Sequence, residues 1–295
     1  MRVGWIGLGK MGRPMVENLV RKGFDVVAQN RSQDKVDILV AMGATKGGTL
    51  AEMARGGLDT FHTCLPNDAT VEEVIGGRYG ILSSAPAGLV VVDHSTIHPD
   101  LARQLARQAS ARGVRFLDAP VSGSGSVAER GELTIMVGGD AIPFQQALPA
   151  LEAMGRTVRH MGPSGSGATT KVVNNMLMGT NLAVAFEGLL LGSRLGIDPQ
   201  ALFEVIRTAS GNSRAWERNA PRAISHQFGQ DGEASLLDKD LNVAAKLAEA
   251  AGVEMPVFQT ALALWDRVNG TPLRTEDPSH AVTLLEEDAG FRIGG

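Results

Sequence analysis

The chain has 295 residues, a formal net charge of −4, 43% hydrophobic residues and 20% charged residues. These values are typical of a globular protein with two domains, and they argue against extensive disorder. The negative charge disfavours general nucleic-acid binding, which uses a basic face. Cys64 is the only cysteine, which excludes an intramolecular disulfide and a CxxC zinc site. We therefore expect no metal centre and a reducing, cytoplasmic environment.

We expect neither a signal peptide nor a membrane span. The chain opens on MRVGWIGLG, which has no basic n-region and no small-residue cleavage site. The longest strongly apolar stretch, near Leu182–Leu191, is interrupted by Glu187 and is too short to cross a bilayer. The sequence therefore predicts a protein that binds neither membranes nor nucleic acids.

The first half of the chain alternates short apolar runs with amphipathic segments. The predicted strands are Val3–Ile6, Val26–Ala28, Thr60–Cys64, Leu89–Val92, Arg115–Leu117 and Thr134–Val137. Amphipathic stretches between them predict helices over Arg13–Lys22, Asp100–Ala111 and Ala141–Met154. Alternation of this kind favours an α/β domain with a parallel sheet and helices on both faces.

The second half has no convincing strand after Gly162 and consists of long helical segments. The predicted helices are Ala168–Leu195, Pro199–Ala209, Leu237–Ala251 and Pro256–Asn269. Gly196, Gly252 and Gly270 follow these apolar-periodic runs, as glycines at helix ends do. We place the domain boundary in the Gly- and Ser-rich stretch Gly162–Gly167. The prediction is an α/β domain over residues 1–162 and an all-α domain over residues 163–295.

A GxGxxG pattern lies between the first predicted strand and the first predicted helix, where it is a signature of dinucleotide binding. Gly7 permits a tight turn, Gly9 lets a pyrophosphate approach the backbone, and Gly12 lets the helix pack on the strand. The helix N-terminus offers amides and a partial positive charge to the phosphates. We therefore assign the whole loop to the cofactor: Gly7, Leu8, Gly9, Lys10, Met11 and Gly12. The overlapping GxxxxGK match lacks the following Ser or Thr that would hold magnesium, which excludes an NTPase loop.

The second predicted strand runs into Gln29-Asn30-Arg31-Ser32. NAD-specific domains place an Asp or Glu about 20 residues beyond the glycines, where the carboxylate binds ribose hydroxyls and repels a 2′-phosphate. Here that position is the neutral Asn30, and the Arg31 guanidinium and Ser32 hydroxyl can bind a phosphate. We therefore predict NADP as the preferred cofactor and NAD as an alternative. The competing interpretation is that Arg31 simply points to solvent.

Asp118-Ala-Pro-Val-Ser122-Gly123 follows the strand Arg115–Leu117. It therefore lies at the carboxyl edge of the sheet, where open α/β sheets bind ligands. Exposed amides and the Ser122 hydroxyl could bind a carboxylate there. The alternative is an ordinary Gly- and Ser-containing loop.

Lys171, Asn174 and Asn175 lie near the start of a long, otherwise apolar helix. Polar groups there are costly to bury unless partnered, and Lys171 and Asn175 share a helix face because they are four residues apart. The alternative is a solvent-exposed polar turn. Lys239-Asp240-Leu241 begins a later helix, and Lys239 alone could be a surface charge.

No HExxH, GxSxG or close His/Asp/Ser set is present in the sequence. We assign no role to the histidines and predict most of them at the surface or in loops: His62, His94, His98, His160, His226 and His280.

Taken in order, the polar segments resemble those of the β-hydroxyacid dehydrogenase family over nearly the whole chain. The matching segments are Gly7-Leu-Gly-Lys-Met-Gly-Arg-Pro-Met15, Cys64-Leu-Pro66, Asp93-His-Ser-Thr96, Asp118-Ala-Pro-Val-Ser-Gly123, Gly131-Glu-Leu-Thr134, the Lys171/Asn174/Asn175 helix and Lys239-Asp-Leu241. The resemblance implies a Rossmann-type N-terminal domain and an all-α C-terminal domain joined by a long helix, with the active site in the cleft between them. It also implies a homodimer or homotetramer assembled through the helical domain.

The resemblance implies hydride transfer between NAD(P) and a small hydroxy acid or semialdehyde, a carboxylate substrate in either case. Lys171 would be the general acid or base, with Asn175 beside it. The implied substrate-binding residues are Ser122, Gly123, Ser124, Asn174 and Asn175, and the further cofactor-binding residues are Leu65, Pro66, Thr96 and Lys239. Family members often have glycine where this chain has Ser124 and Ser126, which leaves the identity of the substrate open.

Two other functions remain open at this stage. An imine reductase has a related fold, but such proteins usually replace the catalytic lysine. A non-catalytic nucleotide-binding module is the second alternative. The related 6-phosphogluconate dehydrogenases place a glutamate acid seven residues after the lysine, where this chain has Met178, so we predict that no decarboxylation occurs.

Overall fold

The computed structural model describes residues 1–230 and 232–294. The chain divides into two compact units, Met1–Lys171 and Val172–Gly295. The first contains a nine-stranded sheet with helices, and the second is built from helices. The predicted order of an α/β Rossmann-type domain followed by an all-α domain is confirmed.

The sheet of the first unit contains all six predicted strands, with ends that differ by no more than a residue. Its strands are β1 (Arg2–Ile6), β2 (Asp25–Gln29), β3 (Thr45–Lys46), β4 (Thr60–Thr63), β5 (Val90–Asp93), β6 (Arg115–Asp118), β7 (Val121–Ser122), β8 (Leu133–Gly138) and β9 (Gly155–Gly162). The strand order is β3-β2-β1-β4-β5-β6-β8-β7, and β9 pairs with β8. All pairs from β3 to β6 are parallel, so the carboxyl ends of these strands meet at one edge.

Helices cover both faces of this sheet. They are α1 (Gly12–Arg21), α2 (Gln33–Ala41), α3 (Leu50–Arg55), α4 (Asp68–Val71), α5 (Pro99–Ser110), α6 (Gly125–Glu129), α7 (Ala141–Met154) and the start of α8 (Ser166–Arg194). In β5, Val90 and Val92 enter the hydrophobic cluster under α1 and α7, whereas Val91 enters the cluster under α5. Burial on both faces explains why this strand is continuously apolar in the sequence.

The prediction of a parallel sheet holds from β3 to β6 but is wrong at one end. β8 pairs antiparallel with β6 through Asp118 and Gly138, and antiparallel with β7. The reason is the length of the connection, because only α6 and its flanking turns join β7 to β8. A parallel return would need a longer crossover.

The second unit contains the rest of α8 and five further α-helices among its described residues 172–230 and 232–294. These are α9 (Pro199–Thr208), α10 (Arg214–Ser225), α11 (Ala234–Ala251), α12 (Pro256–Asn269) and α13 (Ala281–Ala289). Gly196 and Gly252 adopt positive φ at helix ends, as expected for glycine caps, whereas Gly270 stays in the right-handed region. The core packs around Phe186, Trp216 and Trp265.

α8 is 29 residues long, and its most apolar window has a mean hydropathy of 1.3, with 39% of that window buried. By length and composition alone it could cross a bilayer, a test that core helices of water-soluble proteins also pass. We expected an apolar stretch too short to span a membrane because only Leu182–Leu191 was considered. The helix extends beyond this stretch at both ends. α8 carries Lys171 near its start and much exposed apolar surface further along.

Candidate active site

The glycine loop between β1 and α1 packs tightly at two of its glycines and is open at the third. Gly7 has a φ of 98°, and a Cβ there would overlap the Cys64 carbonyl. A Cβ on Gly12 would overlap the Gly7 carbonyl. Apart from Gly9 itself and its neighbours Leu8 and Lys10, no heavy atom of residues 1–230 or 232–294 lies within 4 Å of a Cβ placed on Gly9. The loop therefore leaves its middle open to a ligand, as the approach of a pyrophosphate requires.

The rest of the loop leads into the N-terminus of α1. Leu8 is buried, Gly9 and Lys10 are exposed, and Met11 is the N-cap residue. Within the described chain, the Met11 side chain makes no capping hydrogen bond to the first turn of α1. The positive end of this ten-residue helix is therefore available to an anion at the loop.

Asn30 follows β2 and is tied to the glycine loop by its side chain. Its Oδ1 accepts a hydrogen bond from the Leu8 amide at 3.1 Å, and its Nδ2 donates to the Ser32 carbonyl at 3.2 Å. Arg31 and Ser32 are exposed. Across the part of the chain that the structure describes, no ion pair or hydrogen bond engages the Arg31 guanidinium. Asn30 is thus committed to the protein, whereas Arg31 is accessible to a ligand.

Asp93, the last residue of β5, links the loops that follow β4 and β5. Its Oδ1 accepts hydrogen bonds from Thr63 Oγ1 at 2.7 Å and from Ser95 Oγ at 2.6 Å. Ser95 Oγ in turn accepts a hydrogen bond from the Leu65 amide at 2.8 Å. This network fixes Leu65 and the residues beside it, the exposed Pro66 and the half-buried Thr96. Three predicted cofactor-binding residues therefore lie on loops joined at the carboxyl edge of the sheet.

The second oxygen of Asp93 is buried, and among the described residues it has no hydrogen-bond partner. Burial raises the pKa of Asp93 to about 6, against the opposing effect of the hydrogen bonds from Ser95 and Thr63. The charge of Asp118, its register partner in β6, raises the pKa further.

The loop after β6 holds the predicted substrate-binding residues Ser122, Gly123 and Ser124. Ser122 pairs with Thr134 of β8, which fixes its backbone. Gly123 has a φ of 148°, and a Cβ there would come within 2.8 Å of the Val127 side chain, so glycine is required. Ser124 Oγ and Ser126 Oγ lie 2.9 Å apart and form a hydrogen bond. The two serines that depart from the family pattern therefore bind each other.

Asp118 holds the start of α8 against the end of β6. Its two carboxylate oxygens accept hydrogen bonds of 2.8 Å from the backbone amides of Gly165 and Ala168. Burial raises the pKa of Asp118, and those two hydrogen bonds oppose the shift. Lys171 lies on α8, one turn beyond the last of these contacts. The strand that leads to Ser122 and the helix that carries Lys171 are thus joined through a single carboxylate.

In the second unit, the remaining polar residues form a hydrogen-bonded chain. Asn174 Nδ2 donates to Asn175 Oδ1 at 3.0 Å, and Asn175 Nδ2 donates to Asp240 Oδ2 at 2.7 Å. Lys239 Nζ lies 3.5 Å from the other oxygen of Asp240. Asn175 and Asp240 are buried. The structure therefore brings Asn174, Asn175 and Lys239 together.

Sequence reasoning missed several of these residues. Asp240 lies inside the quoted Lys239-Asp240-Leu241 segment but received no role, and the roles of Asp93 and Asp118 depend on distant backbone amides and hydroxyls. The expectation that most of the histidines lie at the surface or in loops does not hold for His62, which is fully buried in β4, and His94, in the loop after β5, is almost fully buried. His62 falls within the predicted strand Thr60–Cys64, and this was the signal available.

A cavity of about 620 Å³ in the second unit contains none of the predicted residues. His226, Phe228, Glu286 and Arg292 are among the residues that line it. His226 Nε2 lies 3.0 Å from the Glu286 carboxylate, which also accepts a hydrogen bond from the Ile293 amide. These contacts hold the end of the chain onto α13, so the arrangement is explained by packing.

Two family models match the chain in sequence. Residues 2–162 match the NAD binding domain of 6-phosphogluconate dehydrogenase. Residues 165–285 match the model described as NAD-binding of NADP-dependent 3-hydroxyisobutyrate dehydrogenase. Together they cover both units.

Known proteins match over almost the full length. The 2-(hydroxymethyl)glutarate dehydrogenase of Eubacterium barkeri is 35% identical over 296 aligned residues, covering 100% of this chain and 98% of the relative. The NAD-dependent L-serine dehydrogenase of Pseudomonas aeruginosa is 36% identical, covering 90% of this chain and 91% of the relative. A structure of Mycobacterium tuberculosis 3-hydroxyisobutyrate dehydrogenase with L-serine is 30% identical, has a TM-score of 0.87, and covers 96% of this chain and 98% of that one.

Proposed function

The chain belongs to the β-hydroxyacid dehydrogenase family as an NAD(P)-dependent enzyme, and from that premise we propose that it transfers a hydride between NADP and a small hydroxy acid or semialdehyde. The observation that supports this most is the carboxylate of Asp118. It binds the amides of Gly165 and Ala168, and so joins the Ser122 loop to the start of the helix that carries Lys171. A single side chain therefore positions both the loop proposed to bind the substrate carboxylate and the helix that carries the proposed proton-transfer residue.

The residues of the first unit fit a dinucleotide. The open side of Gly9, the uncapped N-terminus of α1 and the loops after β4 and β5 would hold its pyrophosphate and nicotinamide portions. In the second unit, Lys239 is a further proposed cofactor-binding residue. When bound, the nicotinamide supplies the hydride acceptor or donor.

Lys171 is the proposed general acid and base. Oxidation of a carbinol requires removal of the hydroxyl proton, and reduction of a carbonyl requires delivery of a proton to the forming alkoxide, so one amine can serve both directions. In its charged form, Lys171 also stabilises negative charge that develops on that oxygen.

The amide side chains orient the substrate in this proposal. Asp240 accepts from Asn175 Nδ2 and so fixes the amide plane, while Asn174 donates to Asn175 Oδ1. Ser122, Gly123 and Ser124 would bind the substrate carboxylate through amides and hydroxyls. The bond between Ser124 and Ser126 restricts both hydroxyls.

We expect the product to keep its carboxylate. Release of carbon dioxide leaves an enol that an acid must protonate, and Met178, seven residues after Lys171, has no proton to give. A β-keto acid or semialdehyde should therefore leave the enzyme intact.

NADP is the proposed preferred cofactor. The position where NAD-specific domains place a carboxylate is the neutral Asn30, whose amide is bound to Leu8 and Ser32, and the exposed Arg31 and Ser32 follow it. These groups suit a 2′-phosphate. The name of the Pseudomonas aeruginosa relative shows that NAD use also occurs in the family, so both cofactors must be measured.

We further propose a cytoplasmic homodimer or homotetramer. Leu177, Val184, Leu191 and Leu195 are 51%, 57%, 62% and 72% exposed along α8 at heptad-like spacing. A stripe of this length suits a helix from a second copy, because a lone apolar stripe in water favours association. Val184→Glu with Leu191→Glu should reduce the mass measured by light scattering to that of a monomer, whereas Val257→Glu on exposed α12 should not. An unchanged mass in the double variant would reject this interface.

The function is tested by a rate screen with NADP and NAD over three- and four-carbon hydroxy acids and semialdehydes, L-serine and 2-(hydroxymethyl)glutarate. Cofactor reduction or oxidation with at least one of these is the expected result. Turnover of cyclic imines alone would favour an imine reductase, and binding of NADP without any turnover would favour a non-catalytic module.

A further inference from the structure

Two buried histidines have no part in the proposed reaction. His62 lies in β4 and His94 directly follows β5, and they are 0% and 2% exposed. Their rings lie nearly parallel to that of Trp5 in β1, with ring centroids 5.5 Å apart for Trp5 and His62, 5.3 Å for Trp5 and His94, and 5.2 Å for the two histidines. These three rings, the Trp5–His62–His94 stack, cross three neighbouring strands.

The hydrogen bonds of the stack run in one direction. His94 Nδ1 lies 2.9 Å from the Ala119 carbonyl, which can only accept, so His94 carries its proton on Nδ1. Its Nε2 must then accept from His62 Nδ1 at 2.9 Å, and His62 Nε2 must accept from Thr60 Oγ1 at 2.9 Å. Burial lowers the pKa of His94 to about 4 and that of His62 well below 6.5, so both rings are neutral at pH 7.

Two of the three rings hydrogen-bond to the two ligand loops of the first unit. Trp5 Nε1 donates to the Gly7 carbonyl at 2.9 Å, inside the glycine loop. His94 Nδ1 donates to Ala119, which follows Asp118 and precedes the Ser122–Gly123 turn. Ring N–H groups thus hold one backbone carbonyl in each loop.

We propose that the Trp5–His62–His94 stack is a positioning element that holds the glycine loop and the Ser122 loop in fixed places on the sheet. The part of this inference that concerns substrate rests on the proposed function, because it assumes that the Ser122 loop binds the substrate carboxylate. None of the three rings is a catalytic residue.

The backbone at Ala119 shows why a side chain is needed. The last register pair of β5 and β6 is Asp93 with Asp118, and the Ala119 amide donates to the Asp93 carbonyl at 2.7 Å. The Ala119 carbonyl lies beyond this ladder, in a buried stretch, and the imidazole of His94 supplies its donor. Without that donor, a buried carbonyl loses its partner two residues before β7 begins, and the loop can shift to find another.

Two substitutions of His94 distinguish the effect of its hydrogen-bond donor from the effect of the volume of its ring. Asn places its side-chain amide near the Nδ1 position and can still donate to Ala119, whereas Leu fills similar space without a donor. We expect His94→Leu to raise the KM for the hydroxy acid about tenfold with little change in NADP affinity. The KM of His94→Asn should stay close to that of the wild type. Trp5→Phe should instead weaken NADP binding about fivefold, because the Gly7 carbonyl loses its donor, and should change the KM for the hydroxy acid little.

Two measurements need no substrate. In ¹⁵N-histidine NMR spectra of the wild type, His62 and His94 should both be Nδ1–H tautomers, and an Nε2–H tautomer at either would overturn the proposal. Amide hydrogen exchange over residues 119–123 should be faster in His94→Leu than in His94→Asn and the wild type.

The outcomes distinguish this inference from the proposed function. If the Leu and Asn variants fold and behave alike in KM and in exchange, the positioning role is wrong. If no hydroxy acid is turned over by the wild type, the proposed function fails, and the exchange comparison and the tautomers still decide the role of the stack. If His94→Leu does not fold, the tautomers of the wild type decide it.

Discussion

Asp118, the last residue of β6, accepts a hydrogen bond of 2.8 Å from the amide of Ala168 in the first turn of α8. A matching bond from Gly165 occupies its other oxygen. The carboxylate therefore caps the helix from a strand that lies about 50 residues earlier in the chain. The position of Lys171 depends on this contact, because Lys171 lies one turn further along the same helix.

Asp118→Ala should lower the stability of the first unit. The change removes two charge-assisted hydrogen bonds and leaves two buried amides without acceptors, a loss of about 2–5 kcal/mol. Urea unfolding of the intact protein, followed by a probe in the first unit, measures it. Asp140→Ala is a matched control, because Asp140 precedes α7 without a side-chain capping bond and should change stability by about 0.5 kcal/mol or less. Equal stability of the two variants would contradict the capping role.

The buried histidines and Asp93 should give stability opposite dependences on pH. The pKa of His94 is about 4 in the folded protein, against an ordinary 6.5, so the unfolded chain binds the extra proton between these values and stability falls as pH drops from 6.5 to 4. The pKa of Asp93 is raised from 3.8 to about 6, so the folded protein binds the extra proton and stability rises as pH drops from 6 to 3.8.

The two contributions partly cancel in the wild type and separate in variants. Between pH 6.5 and 4, the melting temperature of Asp93→Asn should fall more steeply with acidification than that of the wild type, and that of His94→Asn should fall less steeply. Each group accounts for about 1.4 kcal/mol per pH unit at most. Parallel curves for all three proteins would show that neither group has the shifted pKa.

Arg31→Ala should weaken NADP by about 10- to 100-fold, because charge-assisted bonds to the 2′-phosphate are worth about 1.5–3 kcal/mol. Binding of NAD, which lacks that phosphate, should change far less. Titration of both cofactors gives the ratio, and Arg112→Ala, an exposed arginine on the turn after α5, controls for loss of charge. Tighter NAD binding by the wild type, or an unchanged NADP affinity in Arg31→Ala, would reject the assignment.

The oxidation product should form without loss of carbon dioxide. During turnover of the best hydroxy acid from the screen, headspace or coupled detection should find carbon dioxide far below the amount of cofactor reduced. Stoichiometric release would contradict this prediction and would mean that another group supplies the acid that Met178 cannot provide.

The sequence predicted the helices and strands whose limits are determined by local residue patterns. The bounds of α7 and α12 match their predictions because both helices begin at strong start signals and are apolar on one face. β9 was missed because Arg156, Arg159 and His160 make an edge strand look polar. α10 was missed for a similar reason, since its charged residues and internal Pro221 hide a buried face.

The candidate site divides in the same way. The glycine loop was predictable because its three glycines and the flanking strand and helix are adjacent in the sequence. The pairing of Asn175 with Asp240 joins residues 65 positions apart, and the bonds of Asp118 join a strand to a helix start. Nothing local in the sequence specifies such partners, because they depend on how elements pack.

The central claim is that Lys171 transfers the proton that accompanies hydride transfer. Lys171→Ala should lower kcat by about 100-fold or more, the scale of a general acid–base residue. NADP affinity, measured separately by titration, should stay within about twofold of the wild type. A kcat near the wild-type value in Lys171→Ala would contradict the mechanism.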